Sequence, residues 1–166
     1  MELWDILDEN GSKTGRTIVR GCPLKEGEYH QVVHIWIVND AGELLIQKRA
    51  DNIPLWPGKW AATGGSAIAG EDSFASAVRE VKEELGIQIH RHEMEFIERI
   101  KRGDTLTDLW LVRKNVEAEE IRVQVEEVSE AKWVSRERLL AMVKTGDFVG
   151  YSYIPELLAK IDGQKA

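Results

Sequence analysis

The chain has 166 residues, 43% apolar and 31% charged, with a formal net charge of −7. That length suits one domain, 1–166, able to bury a core without staples, and the composition is that of an ordinary globular protein. The acidic balance excludes non-specific binding to a nucleic acid polymer, which needs a clustered basic face, and any phosphate ligand would require recruited cations.

The N-terminal "MELWDILDENG" is acidic from its second residue and lacks the basic-then-apolar order of a signal peptide. Residues 4–20 predict two short strands around the turn-rich "DENGSKTG", so 1–28 read as an N-terminal strand extension. The single cysteine, Cys22, excludes an intrachain disulfide framework and fits a reducing compartment. No apolar run approaches the ~18 residues of a spanning helix. The expectation is a cytoplasmic protein with no membrane partner. His34–Val38 and Leu44–Arg49 predict paired strands about the turn Asn39-Asp40-Ala41-Gly42. "NIPLWPGKW" reads as a rigid aromatic loop, and "WAATGG" as a short strand running into a glycine turn.

Residues 73–85 predict a helix. At ~100° per residue, Phe74, Ala77, Val78, Val81 and Leu85 fall on one stripe. Asp72 or Ser73 can cap its start, and Gly86 is placed to end it. "EMEFIERIK", "LTDLWLVRK", "IRVQVEEV" and "AKWV" then read as strands, followed by helices at about 136–144 and 154–161. Strands interspersed with a few helices imply an α+β or α/β sandwich with a mixed sheet.

The central helix carries a crowd of acids. With Glu80 at zero on the wheel, Glu84 lies at about +40° and Glu83 at about −60°, beside the apolar stripe near +115°. The three therefore share a face distinct from the buried one. Like-charge pairs at this spacing cost ~0.2–0.5 kcal/mol each, and Lys82 points elsewhere. A divalent cation relieves the repulsion, and hard carboxylate oxygens suit Mg²⁺ or Mn²⁺. A solvated acidic face is the alternative reading of these residues alone.

Gly65, Glu71, Arg79, Glu80, Val81, Glu83, Glu84, Gly86 and Ile87 match, without departure, the signature box of the Nudix hydrolases, over residues 65–87. A chance match is roughly one in 10⁷ to 10⁸ per window. The chain thus resembles that family, and the resemblance implies an α/β/α sandwich that hydrolyses a diphosphate joined to another moiety. It further implies that Glu80, Glu83, Glu84 and the carbonyl of Gly64 hold metal, that Arg79 orients a box glutamate, and that Glu71 braces the loop. The general base in this family is a box glutamate or an acid from a later loop, which here leaves Glu80 and Glu127 as candidates. The expected partner is a small-molecule diphosphate. Nucleoside diphosphate sugars, dinucleotides, damaged nucleotides and prenyl diphosphates all remain open, and many relatives pair through N-terminal strands, so a homodimer is allowed.

"GEYHQVVHIWIVNDAGELLIQKRA" followed by "LWPGKWAATGG" is also similar to isopentenyl-diphosphate isomerase, which shares the fold. That resemblance makes isomerase-like activity the alternative. The isomerase places a cysteine shortly after the second tryptophan, however, and Trp60 here is followed by "AATGGSAIAG". Four further residues are candidates for substrate binding. Arg49, ending a strand, can grip two phosphate oxygens, and Lys59 is a second cation. Trp56 can stack on a substrate or anchor its loop by packing. His30 lies four residues before His34 on one strand face, offering a pocket lining or a second metal site.

Overall fold

The computed structural model describes residues 1–163; the last three positions of the expected domain span, 164–166, lie outside it. Strands β1 (Leu3–Leu7) and β2 (Lys13–Val19) pair antiparallel, as the sequence predicts. The Asp8 carboxylate folds their turn by accepting the N–H groups of Asn10 and Ser12 at 2.9 and 3.0 Å. The hairpin is stitched to the rest of the chain. Leu7 and Tyr29 exchange backbone hydrogen bonds of 2.8 and 2.9 Å, Ala69 N–H donates to the Leu3 carbonyl at 2.8 Å, and Gly70 N–H to Asp5 Oδ2 at 2.8 Å.

The main sheet is mixed and built around β3 (His30–Val38), which opens four residues earlier than expected. One edge of β3 runs parallel to β8 (Thr105–Arg113), itself antiparallel to β7 (Met94–Arg102). The other edge is shared by β4 (Leu44–Arg49), paired at Ile37 and Val38, and by β6 (Thr63–Ser66), paired from Val32 to Ile35. Strands β5 (Trp60–Ala61) and β9 (Val128–Val134) add to β4.

Alternation along β3 creates two cores. Val33, Ile35 and Ile37 bury against Ala77, Val81 and Leu85 of helix α1 (Ser73–Leu85). On the other face Trp36 and Val38 join Leu139 and Met142 of α2 (Arg136–Thr145) and Leu157, Leu158 and Ile161 of α3 (Ile154–Gly163). The result is the expected α/β/α sandwich. No helix among the described residues is long and apolar enough to cross a membrane.

Helix α1 starts where Asp72 accepts the Ala75 N–H at 2.7 Å and stops at Gly86, whose φ of 70° is left-handed. Two expectations fail nearby. "WAATGG" does not end in a turn, because Gly64 and Gly65 lie inside β6, opposite His34 and Val33. A Cβ on Gly64 would meet the Val33 carbonyl at 2.4 Å, so the pairing requires glycine. Nor is "IRVQVEEV" a strand. The N–H groups of Arg122 and Gln124 donate to the carbonyls of Leu85 and Glu84, at 2.8 and 3.2 Å. They satisfy two of the orphan acceptors at the end of α1, so they are not available to a sheet ladder. Only Val128 onward resumes a strand, absorbing "AKWV" into β9.

Candidate active site

The acids of α1 do not share a solvent face. Glu80 and Glu84 are buried, at 7% and 3% exposure, while the Glu83 side chain stays 49% exposed. Strand β6 makes the difference by lying over the helix. Gly65 has no side chain, and the Glu80 carboxylate fills that space; a Cβ there would sit 2.3 Å from Glu80 Oε1. Glycine at 65 is thus what admits the carboxylate.

Arg79 gathers the rest. Its Nε and Nη2 donate to the two oxygens of Glu71 at 2.6 and 3.0 Å, and Nη1 to Glu80 Oε1 at 3.0 Å and Glu83 Oε2 at 3.1 Å. Nη2 also reaches the Ser66 carbonyl at 3.1 Å. Those five bonds engage all five guanidinium donors. Sequence reasoning expected Arg79 to orient one glutamate; it clasps three. Glu71 braces the loop by also accepting the Ile68 N–H at 2.9 Å. Burial alone would raise its carboxyl, yet the bonds from Arg79 and Ile68 hold it below the usual range.

Glu84 is supported from behind by residues that the sequence did not reveal. Gln47 of β4 donates from Nε2 to Glu84 Oε2, and Thr63 Oγ1 donates to Gln47 Oε1 at 2.8 Å. All three are buried. Glu80 and Glu84 hydrogen-bond each other, and both are pushed up, by burial foremost. The Glu80 carboxyl rises from its ordinary 4.5 to about 7, with Arg79 opposing the rise. The charges of Glu80 and, more weakly, Glu127 push Glu84 further in the same direction.

A carboxyl raised in this way binds its proton more tightly in the folded than in the unfolded chain. Its stabilising contribution is full below pH 4.5 and is lost as pH climbs through about 7. The metal-free chain is therefore expected to melt at lower temperature as pH rises from about 5 to 8. Added Mg²⁺ should reverse the decline, because a cation then takes the place of the proton. Thermal melts in chelator and in Mg²⁺ check this, and identical pH profiles in both would sink it.

Glu127 ends the turn that the 122–124 segment feeds. Its N–H donates to the Gln124 carbonyl and its own carbonyl accepts the Ala50 N–H, both at 2.9 Å. Its side chain is exposed and makes no hydrogen bond or ion pair among the described residues. Arg49 is half-buried, with Nε donating to the Leu55 carbonyl at 2.7 Å, and its N–H takes the Lys59 carbonyl at 2.8 Å. Lys59 is half-buried beside it. Trp56 holds a left-handed φ of 49° and packs against the core under α2 and α3, so it anchors its loop.

The two histidines do not form a second metal site. His30 is buried beneath Trp4, the rings parallel and 3.8 Å apart, which leaves it 7% exposed. His34 Nδ1 lies 2.8 Å from the Tyr153 hydroxyl. Among the described residues no three His, Cys, Asp or Glu side chains are gathered closely enough to hold a metal unaided. Glu80 and Glu84 lie together, with Glu83 turned to Arg79. The two residues after Trp60 are Ala61 and Ala62, both buried, and the cysteine of the chain, Cys22, is exposed beyond β2.

Residues 28–157 match the family model described as the NUDIX domain. Over 160 residues the chain is 41% identical to an uncharacterized Nudix hydrolase of Listeria monocytogenes, covering 95% of this chain and 94% of that one. It is 34% identical to the isopentenyl-diphosphate Delta-isomerase of Streptomyces avermitilis over 86 residues, 51% of this chain and 44% of the isomerase. Among solved structures, a crystal structure of a Deinococcus radiodurans protein superposes with a TM-score of 0.77 at 22% identity. It covers 96% of this chain and 98% of its own. That likeness speaks for the fold alone.

Proposed function

The chain belongs to the Nudix hydrolases, pyrophosphohydrolases that cleave diphosphate bonds in nucleoside diphosphate derivatives, and from that premise we propose a Mg²⁺- or Mn²⁺-dependent reaction centred on Glu80 and Glu84. The observation that carries this reading is the buried carboxylate pair beside a bare glycine. Among the described residues the one cationic side chain bonded to it, Arg79, is already shared with Glu71 and Glu83. Buried charges of one sign call for a counter-ion, and oxygen donors select a hard one. The ligands would be Glu80, Glu84, Glu83 and the Gly64 carbonyl. Once bound, the cation supplies Lewis-acid neutralisation of diphosphate oxygens and a more acidic water.

The chain's own residues do the rest. Arg79 fixes Glu80 and Glu83, while Gln47 and Thr63 hold Glu84 in one orientation. Water adds to one phosphorus, the bridging P–O bond breaks with its electron pair on the departing phosphate, and a carboxylate takes the proton. Glu127 suits that last role better than Glu80, since its carboxylate is free and Glu80 is tied to Arg79 and packed on Gly65. Arg49 and Lys59, adjoining on β4 and the loop after it, meet the substrate's negative charge.

The test is a panel of nucleoside diphosphate derivatives assayed with and without Mg²⁺ or Mn²⁺. Turnover unaffected by chelation would end the metal reading. Glu127→Gln is expected to lower kcat about 10²-fold, within the usual range of a general base, with Mn²⁺ affinity unchanged. A loss of only severalfold would move the base to Glu80.

A further inference from the structure

On the sheet face opposite α1, Tyr153 connects two side chains of β3. Trp36 Nε1 donates to the Tyr153 hydroxyl at 3.0 Å, and His34 Nδ1 lies 2.8 Å from the same oxygen. An indole N–H can only donate, so the hydroxyl oxygen is an acceptor there. Tyr153 is buried, and among the described residues its own hydrogen has one acceptor within reach, Nδ1 of His34. Leaving that hydrogen unpaired would carry a desolvation penalty. Nδ1 therefore carries no proton, and a neutral imidazole must hold its proton on Nε2.

That Nε2–H has no protein partner among the described residues, and His34 is only half-buried. Its position is specific. Cδ2, the atom bonded to Nε2, is the ring atom that a Cβ on Gly64 would meet, at 3.0 Å. The donor edge of the imidazole thus borders Gly64. Tyr151 stacks on Tyr153, 5.2 Å between centroids, and hydrogen-bonds the backbone of Ala62, two residues before Gly64. Burial foremost, with the charge of Glu84, raises the Tyr151 hydroxyl to about 12, while the charges of Arg49 and Arg102 act on it in the opposite sense, so two cations lie within electrostatic reach of this side of the sheet.

We propose that His34 is a substrate-binding residue whose Nε2–H donates to a phosphoryl oxygen of the diphosphate group, with Tyr153 as the positioning residue that fixes its tautomer. The inference rests on the hydrolase reading above for the place of the diphosphate at Gly64. It adds a donor from the opposite face of the sheet, outside the box.

Long-range ¹H–¹⁵N spectra of the full chain should show the His34 proton on Nε2, and that preference should be lost in Tyr153→Phe. Methylenediphosphonate, a non-hydrolysable diphosphate, should bind the wild type in the presence of Mg²⁺ and shift the Nε2 resonance. Calorimetry should find His34→Ala about tenfold weaker and His34→Gln within about threefold of wild type, as expected for a hydrogen bond to a charged acceptor. A proton on Nδ1, an Nε2 resonance unmoved by the diphosphonate, or equal affinity in wild type and His34→Ala would overturn the proposal. The wild-type spectra decide even if His34→Ala does not fold. Weakened binding in a chain that hydrolyses nothing in the panel would uphold this contact while refuting the proposed reaction.

Discussion

Glu84→Gln is expected to lower kcat by about 10³-fold, the order lost when a charge-stabilising group is removed from a transition state, while raising the melting temperature of the metal-free chain. The two effects have one cause. Glu84 lies at 3% exposure against Glu80; burial drives both carboxyls up, and the charge of Glu80 drives Glu84 further. An amide of the same shape can still accept from Gln47 Nε2, can donate to Glu80, and carries no charge to bury. Without the charge, the cation loses a ligand. Activity in Mg²⁺, with paired melts in chelator and in Mg²⁺, reads both effects. Parental turnover would show that Glu84 holds no metal, and an unchanged chelator melt would show that the pair stores no repulsion.

Arg79→Ala should be the most damaging single change to fold and activity together. It strands Glu71, Glu80 and Glu83 and frees the Ser66 carbonyl on β6. The Arg79 and Glu71 side chains are 21% and 20% exposed, so removing the cation leaves largely desolvated acids behind. Breaking such a pair from one side costs roughly 3 kcal/mol, to be read by denaturant unfolding, and kcat should fall at least 10²-fold as Glu80 loses its orientation. Arg79→Lys should rescue little, since an ammonium presents its donors at one point and cannot span three carboxylates. Recovery of both stability and kcat in the lysine variant would refute the five-bond clasp as the reason for arginine.

Much of this was legible in the chain because it is local. Asp72 and Gly86 bracket α1 through contacts within one turn, and the stripe Ala77, Val81, Leu85 faces β3 as its period requires. What failed was non-local. The alternation in "IRVQVEEV" imitates a strand, but its amides are claimed by carbonyls of α1 some 37 to 40 residues earlier. The burial of Glu80 and Glu84 depends on Gly65 arriving from β6, and a helical wheel contains no information about a covering strand. Gln47, Thr63 and Tyr153 carried no signal, because each acts only through a partner brought near by sheet pairing or by the packing of α3.

The family match begins at residue 28, yet the hairpin ahead of it lends the Leu3 carbonyl to Ala69 and the Asp5 carboxylate to Gly70, immediately before Glu71. Trimming the protein to the span of the family model would not produce a leaner catalyst. It would unroof His30, strip Tyr29 of its backbone partner, and leave the approach to α1 propped on one side only. A segment that the family model leaves out is in space a buttress.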